Sequence, residues 1–130
     1  MLVLDASVAI RICDAGGRFD TLPDSQLVAP PLLWSEFTAS VHAASWRRER
    51  RPDQARRLLE VLSGSPLRRR NHRRLQTEAW RIADELGWAK TYDAEYCALA
   101  GLLGCRLLTL DGRLRRGAER LGYVVTPAEI

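Results

Sequence analysis

The first ten residues, MLVLDASVAI (residues 1–10), contain a short apolar run at residues 2–4 that ends at Asp5. The same order returns in LLTLDGRL (residues 107–114), where an apolar run is closed by Asp111. A short apolar run that stops at a helix-capping residue indicates a buried strand passing into a helix. Repeated strand-to-helix units are typical of a parallel α/β sheet.

Similar apolar runs alternate with helical stripes along the rest of the chain. Further strands are predicted at residues 27–29, 106–110 and 123–126, with an edge strand near residues 66–69. Helices are predicted over residues 31–46, from Pro52 through Leu62, and in two stretches that stop at Gly87 and Gly104. The last of these carries a core stripe of Tyr96, Leu99, Ala100 and Leu103. There are no repeats or linkers, so we predict one α/β domain over residues 1–130, with a parallel central sheet of about four to five strands flanked by helices.

The length and the cysteine content limit the class of protein. A chain of 130 residues can bury roughly two thirds of its unfolded surface in one core. Its three cysteines, Cys13, Cys97 and Cys105, are odd in number and form no CxxC pair, which argues against a disulfide framework or a zinc knuckle. With no secretory leader and no apolar run of membrane-spanning length, we expect a cytoplasmic protein without a membrane partner.

Basic charge is carried almost entirely by arginine, because Lys90 is the only lysine among 20 basic residues. Against 16 acidic residues this gives a formal net charge of +4. The arginines fall into a first cluster (Arg47, Arg48, Arg50, Arg51), a second cluster (Arg68, Arg69, Arg70, Arg73, Arg74) and a third cluster (Arg113, Arg115, Arg116). An arginine-favouring base composition explains the excess over lysine, and each cluster could be a solvated face. Three clusters in one small domain favour a phosphate-bearing partner.

Four acidic residues lie just after an apolar run or in the first turns of a predicted helix: Asp5, Glu36, Asp93 and Asp111. In a parallel α/β sheet these places share one edge, so the four side chains are expected to cluster. Each also has a simpler interpretation. Asp5 and Asp111 could cap helices, and Glu36 could be a solvated residue that complements a helix dipole. Asp93 continues a semi-apolar helical stripe through Cys97.

The local patterns around these acids carry a family resemblance. They are VLDASVAI (residues 3–10), WSEF (residues 34–37), TYDAEYCALA (residues 91–100) and LLTLDGRL (residues 107–114). In this order and at this length the chain resembles the PIN-domain nucleases, and especially the VapC-type toxins of bacterial toxin–antitoxin pairs. The resemblance implies a PIN-like domain in which Asp5, Asp93 and Asp111 hold metal.

The same resemblance implies roles for further residues and for partners. Glu36 would be a ligand or would orient the attacking water, while Ser7 and Thr109 would position carboxylates or substrate. The implied cofactor is Mg²⁺ or Mn²⁺, and the implied activity is endoribonuclease cleavage of transfer or ribosomal RNA. The implied partners are a cognate VapB-type antitoxin and a second copy in a homodimer. The residues expected to hold RNA backbone are Arg68, Arg69, Arg70, Arg113, Arg115 and Arg116.

Other functions remain open beside this one. A phosphoaspartate protein is disfavoured, because Ser7 stands where a phosphatase motif needs its second acid and Lys90 is the only lysine available to a receiver domain. A non-catalytic RNA- or protein-binding module on the same fold is a second alternative. A metal-dependent nuclease acting on DNA is a third. Some relatives carry a further acid after the T-x-D element, where this chain has Gly112, so one or two metal ions remain possible.

Overall fold

Five short parallel strands form the centre of the protein in the computed structural model, which describes residues 1–130. They are β1 (Leu2–Leu4), β2 (Leu27–Ala29), β3 (Arg68–Arg69), β4 (Arg106–Leu108) and β5 (Val124–Val125). Their order across the sheet is β3-β2-β1-β4-β5, and every pair is parallel. The predicted α/β class with a parallel central sheet is confirmed.

Six helices cover the sheet: α1 (Ala6–Asp14), α2 (Leu32–Trp46), α3 (Pro52–Ser63), α4 (Leu75–Leu86), α5 (Tyr92–Leu103) and α6 (Gly112–Gly117). Helices α1, α2 and α3 pack against one another, while α4 packs on α5, which lies against β1 and β4. The chain moves from β1 to β3 in one direction and then returns past β1 to β4. Because such crossovers are right-handed, the two groups of helices lie on opposite faces of the sheet. None of the helices combines the length and the apolar character needed to cross a membrane.

The first strand explains why the opening sequence is continuously apolar. Leu2, Val3 and Leu4 are all fully buried, although alternate residues of a strand point to opposite faces. A central strand of a parallel sheet is covered by helices on both sides, so both of its faces must be apolar. The run of three aliphatic residues therefore predicts the central position of β1 as well as its existence.

Two glycines end helices as predicted. Gly87 follows α4 with φ +74°, and Gly104 follows α5 with φ +67°. This left-handed conformation lets the backbone N–H turn back to the last helical carbonyl groups, and it is strained for residues that carry a Cβ atom. The observed ends of α4 and α5 coincide with these stop signals.

The fourth strand is shorter than the predicted range, residues 106–110, because the backbone N–H groups that follow it donate hydrogen bonds to side chains. The N–H of Leu110 donates to Ser7 Oγ at 3.2 Å, and the N–H of Asp111 donates to Thr109 Oγ1 at 2.9 Å. These bonds turn the chain out of the sheet toward α6. The last strand is likewise limited to Val124–Val125, since a 3-10 helix begins at Pro127.

Candidate active site

The four predicted acidic residues meet at the carboxyl edge of the sheet. Asp5 directly follows β1, and Asp111 follows β4 after two intervening residues. These neighbouring strands mark the point where the strand order reverses, the place at which parallel α/β sheets form a ligand crevice. Glu36 lies in the first turns of α2, and Asp93 lies in the first turn of α5. The predicted clustering is therefore seen in the structure.

Asp5 is the most firmly held of these residues. Its side chain is only 6% exposed. Oδ1 accepts hydrogen bonds from Ser7 Oγ at 2.5 Å and from the N–H of Val8 at 3.2 Å. Oδ2 accepts from the hydroxyl of Thr109, a fully buried residue that directly follows the neighbouring strand β4, at 2.5 Å. The two hydroxyl residues singled out in the sequence thus fix this carboxylate and join β1 to β4.

Asp111 and Asp93 keep more of their oxygen atoms free. Asp111 Oδ1 accepts from the N–H groups of Arg113 at 2.9 Å and Leu114 at 3.3 Å, so this residue caps α6. Its Oδ2 atom accepts no hydrogen bond. Asp93 accepts none at either oxygen and lies at the exposed end of its helical stripe, whereas Cys97 further along is buried. The capping interpretation is correct for Asp5 and Asp111, yet capping leaves oxygen positions available at both.

Glu36 is oriented by a residue that the sequence assigned only to the core. The hydroxyl of Tyr96 donates to Glu36 Oε1 at 2.5 Å, while the Tyr96 ring is buried and only 1% of the residue is exposed. The helical stripe correctly predicted that Tyr96 is buried. Periodicity carries no information about where a phenolic hydroxyl points, so this contact between α5 and α2 was not predicted.

Burial and mutual repulsion raise the pKa values of three acids of the cluster, Asp5, Glu36 and Asp93. The pKa of Asp5 is raised by burial and further by Asp111, and the pKa of Asp93 is raised by desolvation and by both of these neighbours. The pKa of Glu36 is raised by burial and then by Asp93 and Asp5, although the hydrogen bond from Tyr96 opposes the shift. Nearby carboxylates repel one another when ionised. A bound cation would relieve that repulsion.

A cleft of about 590 Å³ opens over these acids. Glu36, Asp93 and Asp111 line it. Its rim also carries residues that the sequence did not mark as functional, namely Trp88, Lys90, Tyr92 and Leu114. One signal in the sequence could have identified two of them: Lys90 and Tyr92 lie at the start of the helix that bears Asp93. With Arg113 on its wall as well, the cleft contains two basic side chains close to several acidic ones.

Glu95 is a further acid that the sequence did not single out. It is 9% exposed, and its Oε1 atom accepts a hydrogen bond from Gln76 Nε2 at 3.0 Å. It contributes to the raised pKa of Glu36. Gln76 belongs to α4, so this buried carboxylate is held from the helix next to α5. Glu95 adds negative charge behind the cluster.

The donor set fits a hard divalent cation. All four side chains offer carboxylate oxygen, the ligand that Mg²⁺ and Mn²⁺ prefer. Glu36, Asp93 and Asp111 each retain an oxygen atom that accepts no hydrogen bond. Both oxygens of Asp5 accept hydrogen bonds, but Oδ2 accepts only one and keeps a second lone pair. No three acidic, histidine or cysteine side chains converge tightly enough to form a finished ligand sphere. Asp5, Asp93 and Asp111, with Glu36 beside them, are the residues that would hold such a cation.

The first arginine cluster is largely neutralised by its own neighbours. Arg47 pairs with Glu49, Arg51 pairs with Asp53, and Arg50 pairs with Asp14, at distances of 2.7–2.9 Å. This cluster borders a cavity of about 740 Å³ at the far end of α2, roughly 15 Å along that helix from Glu36. This cavity therefore lies away from the acids.

The second and third clusters are placed differently. No arginine of the second cluster forms an ion pair within 4 Å, and the guanidinium of Arg69 lies over the ring of Trp34. In the third cluster, Arg115 forms a two-point ion pair with Glu129, whereas Arg113 lines the acidic cleft. Arg116 packs over Gly112, where an added Cβ would meet its Nη1 atom at 3.0 Å.

An all-parallel α/β domain with carboxylates gathered at its strand ends offers oxygen ligands of the kind that metal-dependent hydrolases of phosphate esters use. The family model described as PIN domain matches residues 2–120, and the chain belongs to this family. PIN domains are generally nucleases, and those nucleases generally use divalent metal ions.

Two solved structures have a similar fold. PAE2754 from Pyrobaculum aerophilum is 24% identical, with a TM-score of 0.74, over 98% of this chain and 91% of that one. A toxin–antitoxin complex from Klebsiella pneumoniae contains a chain that is 19% identical, with a TM-score of 0.68, over 100% of both chains. No match was found among curated protein sequences.

Proposed function

We propose that this chain is a single PIN-like nuclease domain over residues 1–130 that hydrolyses phosphodiester bonds in RNA with Mg²⁺ or Mn²⁺. One observation carries the proposal: four carboxylates from four elements gather at the strand-order reversal, with raised pKa values for Asp5, Glu36 and Asp93 and no basic ion-pair partner. A cluster of this kind weakens the fold unless a cation binds, so its presence indicates a use for the cation.

The residues have distinct roles in this proposal. Asp5, Asp93 and Asp111 hold the cation, which, when bound, polarises the phosphoryl group and lowers the pKa of water. Ser7 and Thr109 keep the Asp5 carboxylate in one orientation through their hydrogen bonds.

Glu36 stands at the side of the cluster, where it orients the attacking water or adds a ligand. Tyr96 holds its Oε1 atom, so that the second oxygen is left for either task. The walls of the cleft supply no nucleophilic serine or cysteine side chain, so water is the nucleophile that fits this site.

The choice of RNA and of a toxin role rests on the arginines around the site and on a structural similarity. Unpaired arginines of the second cluster, with Arg113 in the cleft and Arg116 beside it, supply positive charge for a phosphate backbone. Arg115 could join them only by exchanging its contact with Glu129. The similarity to a chain of a toxin–antitoxin complex favours a toxin that a cognate VapB-type antitoxin inhibits. From the resemblance of the acidic motifs to those of VapC-type toxins we propose transfer or ribosomal RNA as substrate and a homodimer, and we propose a cytoplasmic location.

Cleavage of total cellular RNA by purified protein tests this proposal. Discrete fragments should form with Mg²⁺ or Mn²⁺ and disappear with EDTA and in Asp93→Asn. Asp53→Asn, which removes an exposed acid paired with Arg51, should cut as the unmodified protein does. Fragments that persist in Asp93→Asn would contradict the assignment of the site.

Two other functions give different results in the same experiment. A DNA nuclease would leave RNA intact and cut single- or double-stranded DNA with the same metal dependence. A binding module would retain RNA without cutting it under any metal.

A further inference from the structure

A stacked pair of side chains lies on the outer flank of α2, beside the acidic cluster. The Cζ atom of Arg69 is 4.7 Å from the ring centroid of Trp34. Trp34 is half-buried and packs against the core, whereas Arg69, on the edge strand β3, is exposed. A guanidinium at this distance makes a cation–π contact, and its planar group can stack on a second flat ring. The pair therefore presents a supported planar surface to solvent.

The charge around this pair is not compensated. Arg69 forms no ion pair, and neither do Arg68, Arg70, Arg73 and Arg74, the other arginines of the second cluster. Flat aromatic or guanidinium surfaces beside unpaired basic side chains are the two components of sites for single-stranded nucleic acid. An acid-rich protein segment would use the charge but would have little need of the flat surface.

The pair is close to the acids but faces away from them. Trp34 and Glu36 are two residues apart on α2, which turns their side chains about 200° from each other. Glu36 points to Tyr96 and the acidic cluster, and Trp34 points to β3. Only the width of one helix, about 10 Å, separates the two flanks. A strand that crosses the amino end of α2 thus reaches the pair within a few nucleotides of the acids.

The surface next to the pair has room for a nucleotide. A shallow cleft of about 540 Å³ runs from Trp34 along the outer face of α2. Its other lining residues are small or polar, namely Ser35, Thr38, Ala39 and His42. Ser35 and Thr38 supply hydroxyl groups to the same cleft that the Trp34 ring lines, and hydroxyl groups beside an aromatic ring suit a ribose and its base.

We infer that Trp34 and Arg69 form a stacking platform for an unpaired base of the RNA, a few nucleotides from the bond that is cut. This inference rests on the proposed ribonuclease function and adds to it a site for single-stranded RNA. Stacking reads the flat face that all bases share, so the platform selects unpaired segments over duplexes without selecting one base. Holding that base fixes the position of the phosphate over the acids.

Binding measured in EDTA tests the platform without any need for cleavage. The probe is a fluorescein-labelled single-stranded RNA of about ten nucleotides, within the site sizes of single-strand binding proteins. It is compared with a series that carries one abasic nucleotide at each position in turn. Arg69→Lys keeps the charge and loses the plane, and Trp34→Leu keeps apolar volume and loses the ring. Arg56→Lys is the control, because Arg56 is exposed on α3 and has no ion pair or aromatic contact.

The intact probe should bind about tenfold more weakly to Arg69→Lys and to Trp34→Leu than to the unmodified protein. A probe that is abasic at one particular position should bind the unmodified protein more weakly by a similar factor. The same probe should bind each of the two variants no more weakly than the intact probe does. Arg56→Lys should behave as the unmodified protein does. Circular dichroism melting of Trp34→Leu shows whether the fold is kept, and Arg69→Lys carries the test if it is not.

Equal weakening by Arg69→Lys and Arg56→Lys, with no sensitive abasic position, would overturn the platform. Unchanged RNA binding in Arg69→Lys would also overturn it. A protein that binds RNA through the platform but cuts nothing with any metal would refute the proposed function and leave the platform standing. Metal-dependent cleavage by a protein whose RNA binding does not depend on stacking would support the proposed function and overturn the platform.

Discussion

The acidic cluster and the first arginine cluster are both dense in charge, yet they treat that charge in opposite ways. In the first arginine cluster, Arg47, Arg50 and Arg51 each have a carboxylate partner within 3 Å. In the acidic cluster no carboxylate has a basic partner within 4 Å, and burial and mutual repulsion raise the pKa values of Asp5, Glu36 and Asp93. Charges that satisfy one another need no ligand. Like charges that are held close together need a ligand of opposite charge, and the acidic cluster is therefore the candidate site.

The sharpest way to break this contrast is to neutralise an acid without losing its structural role. Asp111→Asn keeps a side-chain oxygen for capping α6, because Asn caps helices about as well as Asp. We expect the melting temperature to stay within a few degrees and the rate of metal-dependent RNA cleavage to fall more than about a hundredfold. Asp111→Ala should lose both activity and, through the missing cap, about 1 kcal/mol of stability.

The matched control is an acid that pairs with the first arginine cluster. Asp53→Asn removes one member of an exposed ion pair and should change neither the cleavage rate nor the melting temperature measurably. Full activity in Asp111→Asn would show that this residue is only a helix cap.

A second test concerns the phenol that holds Glu36. Tyr96→Phe removes the hydrogen bond to Oε1 while the buried ring remains, and loss of such a supporting contact typically costs ten- to a hundredfold in activity. The hydrogen bond lowers the pKa of Glu36, so its removal should raise that pKa further. If ionised Glu36 is needed, the acid limb of the pH profile of kcat/KM moves to higher pH.

Tyr123→Phe is the control for this test. Its hydroxyl donates to the carbonyl oxygen of Cys97 at 2.9 Å, so it also joins two elements but touches none of the four acids. Stability should fall slightly and the acid limb should not move. An acid limb that shifts equally in both variants would show that Tyr96 acts through the fold and not through Glu36.

Much of the fold was predictable from local signals. Leu2–Leu4 is apolar because both faces of β1 are covered, and Gly87 and Gly104 end helices because their φ values are positive. The range predicted for β4 was too long because the N–H of Leu110 donates a hydrogen bond to Ser7 Oγ, and Ser7 lies more than a hundred positions away in sequence. Strand propensity describes a residue and its neighbours, whereas this bond depends on the assembled sheet.

The site was predictable in its acids but not in their surroundings. The carboxyl ends of parallel strands lie at one edge of a sheet, so the sequence was enough to predict that Asp5 and Asp111 lie close together. The role of Tyr96 depends on how α5 and α2, which lie on opposite faces of the sheet, approach each other at its carboxyl edge, and no periodicity encodes that approach. Likewise the arginine clusters look alike in sequence, but only the structure shows that Arg50 meets Asp14 across 36 positions and that Arg69 meets Trp34.

A third test extends the comparison to the arginines. Arg73→Ala with Arg74→Ala removes two unpaired basic groups, whereas Arg47→Ala with Arg51→Ala removes two that are already paired. We expect the first double variant to bind RNA several-fold more weakly. The slope of log affinity against log salt concentration should fall by about one for each lost phosphate contact. The second should keep the slope. Equal slopes in both variants would mean that pairing does not decide which arginines meet the backbone.

The smallest expected effect is on stability, and its sign distinguishes the two regions. Because the pKa of Asp93 is raised in the folded state, the folded protein binds this proton more tightly than the unfolded chain does. The favourable contribution is present at acid pH and is lost as the pH rises through the folded pKa. Asn imitates the protonated form at every pH, so Asp93→Asn should stabilise the metal-free protein at neutral pH. The gain should stay below about 1 kcal/mol, since Asp93 is exposed and screened by solvent.

In the arginine-rich region the same change has the opposite sign. Asp14→Asn removes a carboxylate whose pKa is lowered by Arg50, so it should lower stability at neutral pH, again by less than about 1 kcal/mol. The two variants should converge with the unmodified protein at acid pH, where both carboxyl groups are protonated. Urea unfolding in EDTA at neutral and acid pH measures both effects, and added Mg²⁺ should stabilise the unmodified protein and Asp14→Asn more than Asp93→Asn. If Asp93→Asn were destabilising at neutral pH, the carboxylate of Asp93 would be stabilised by contacts within the folded protein. The acidic cluster would then not differ in kind from the first arginine cluster.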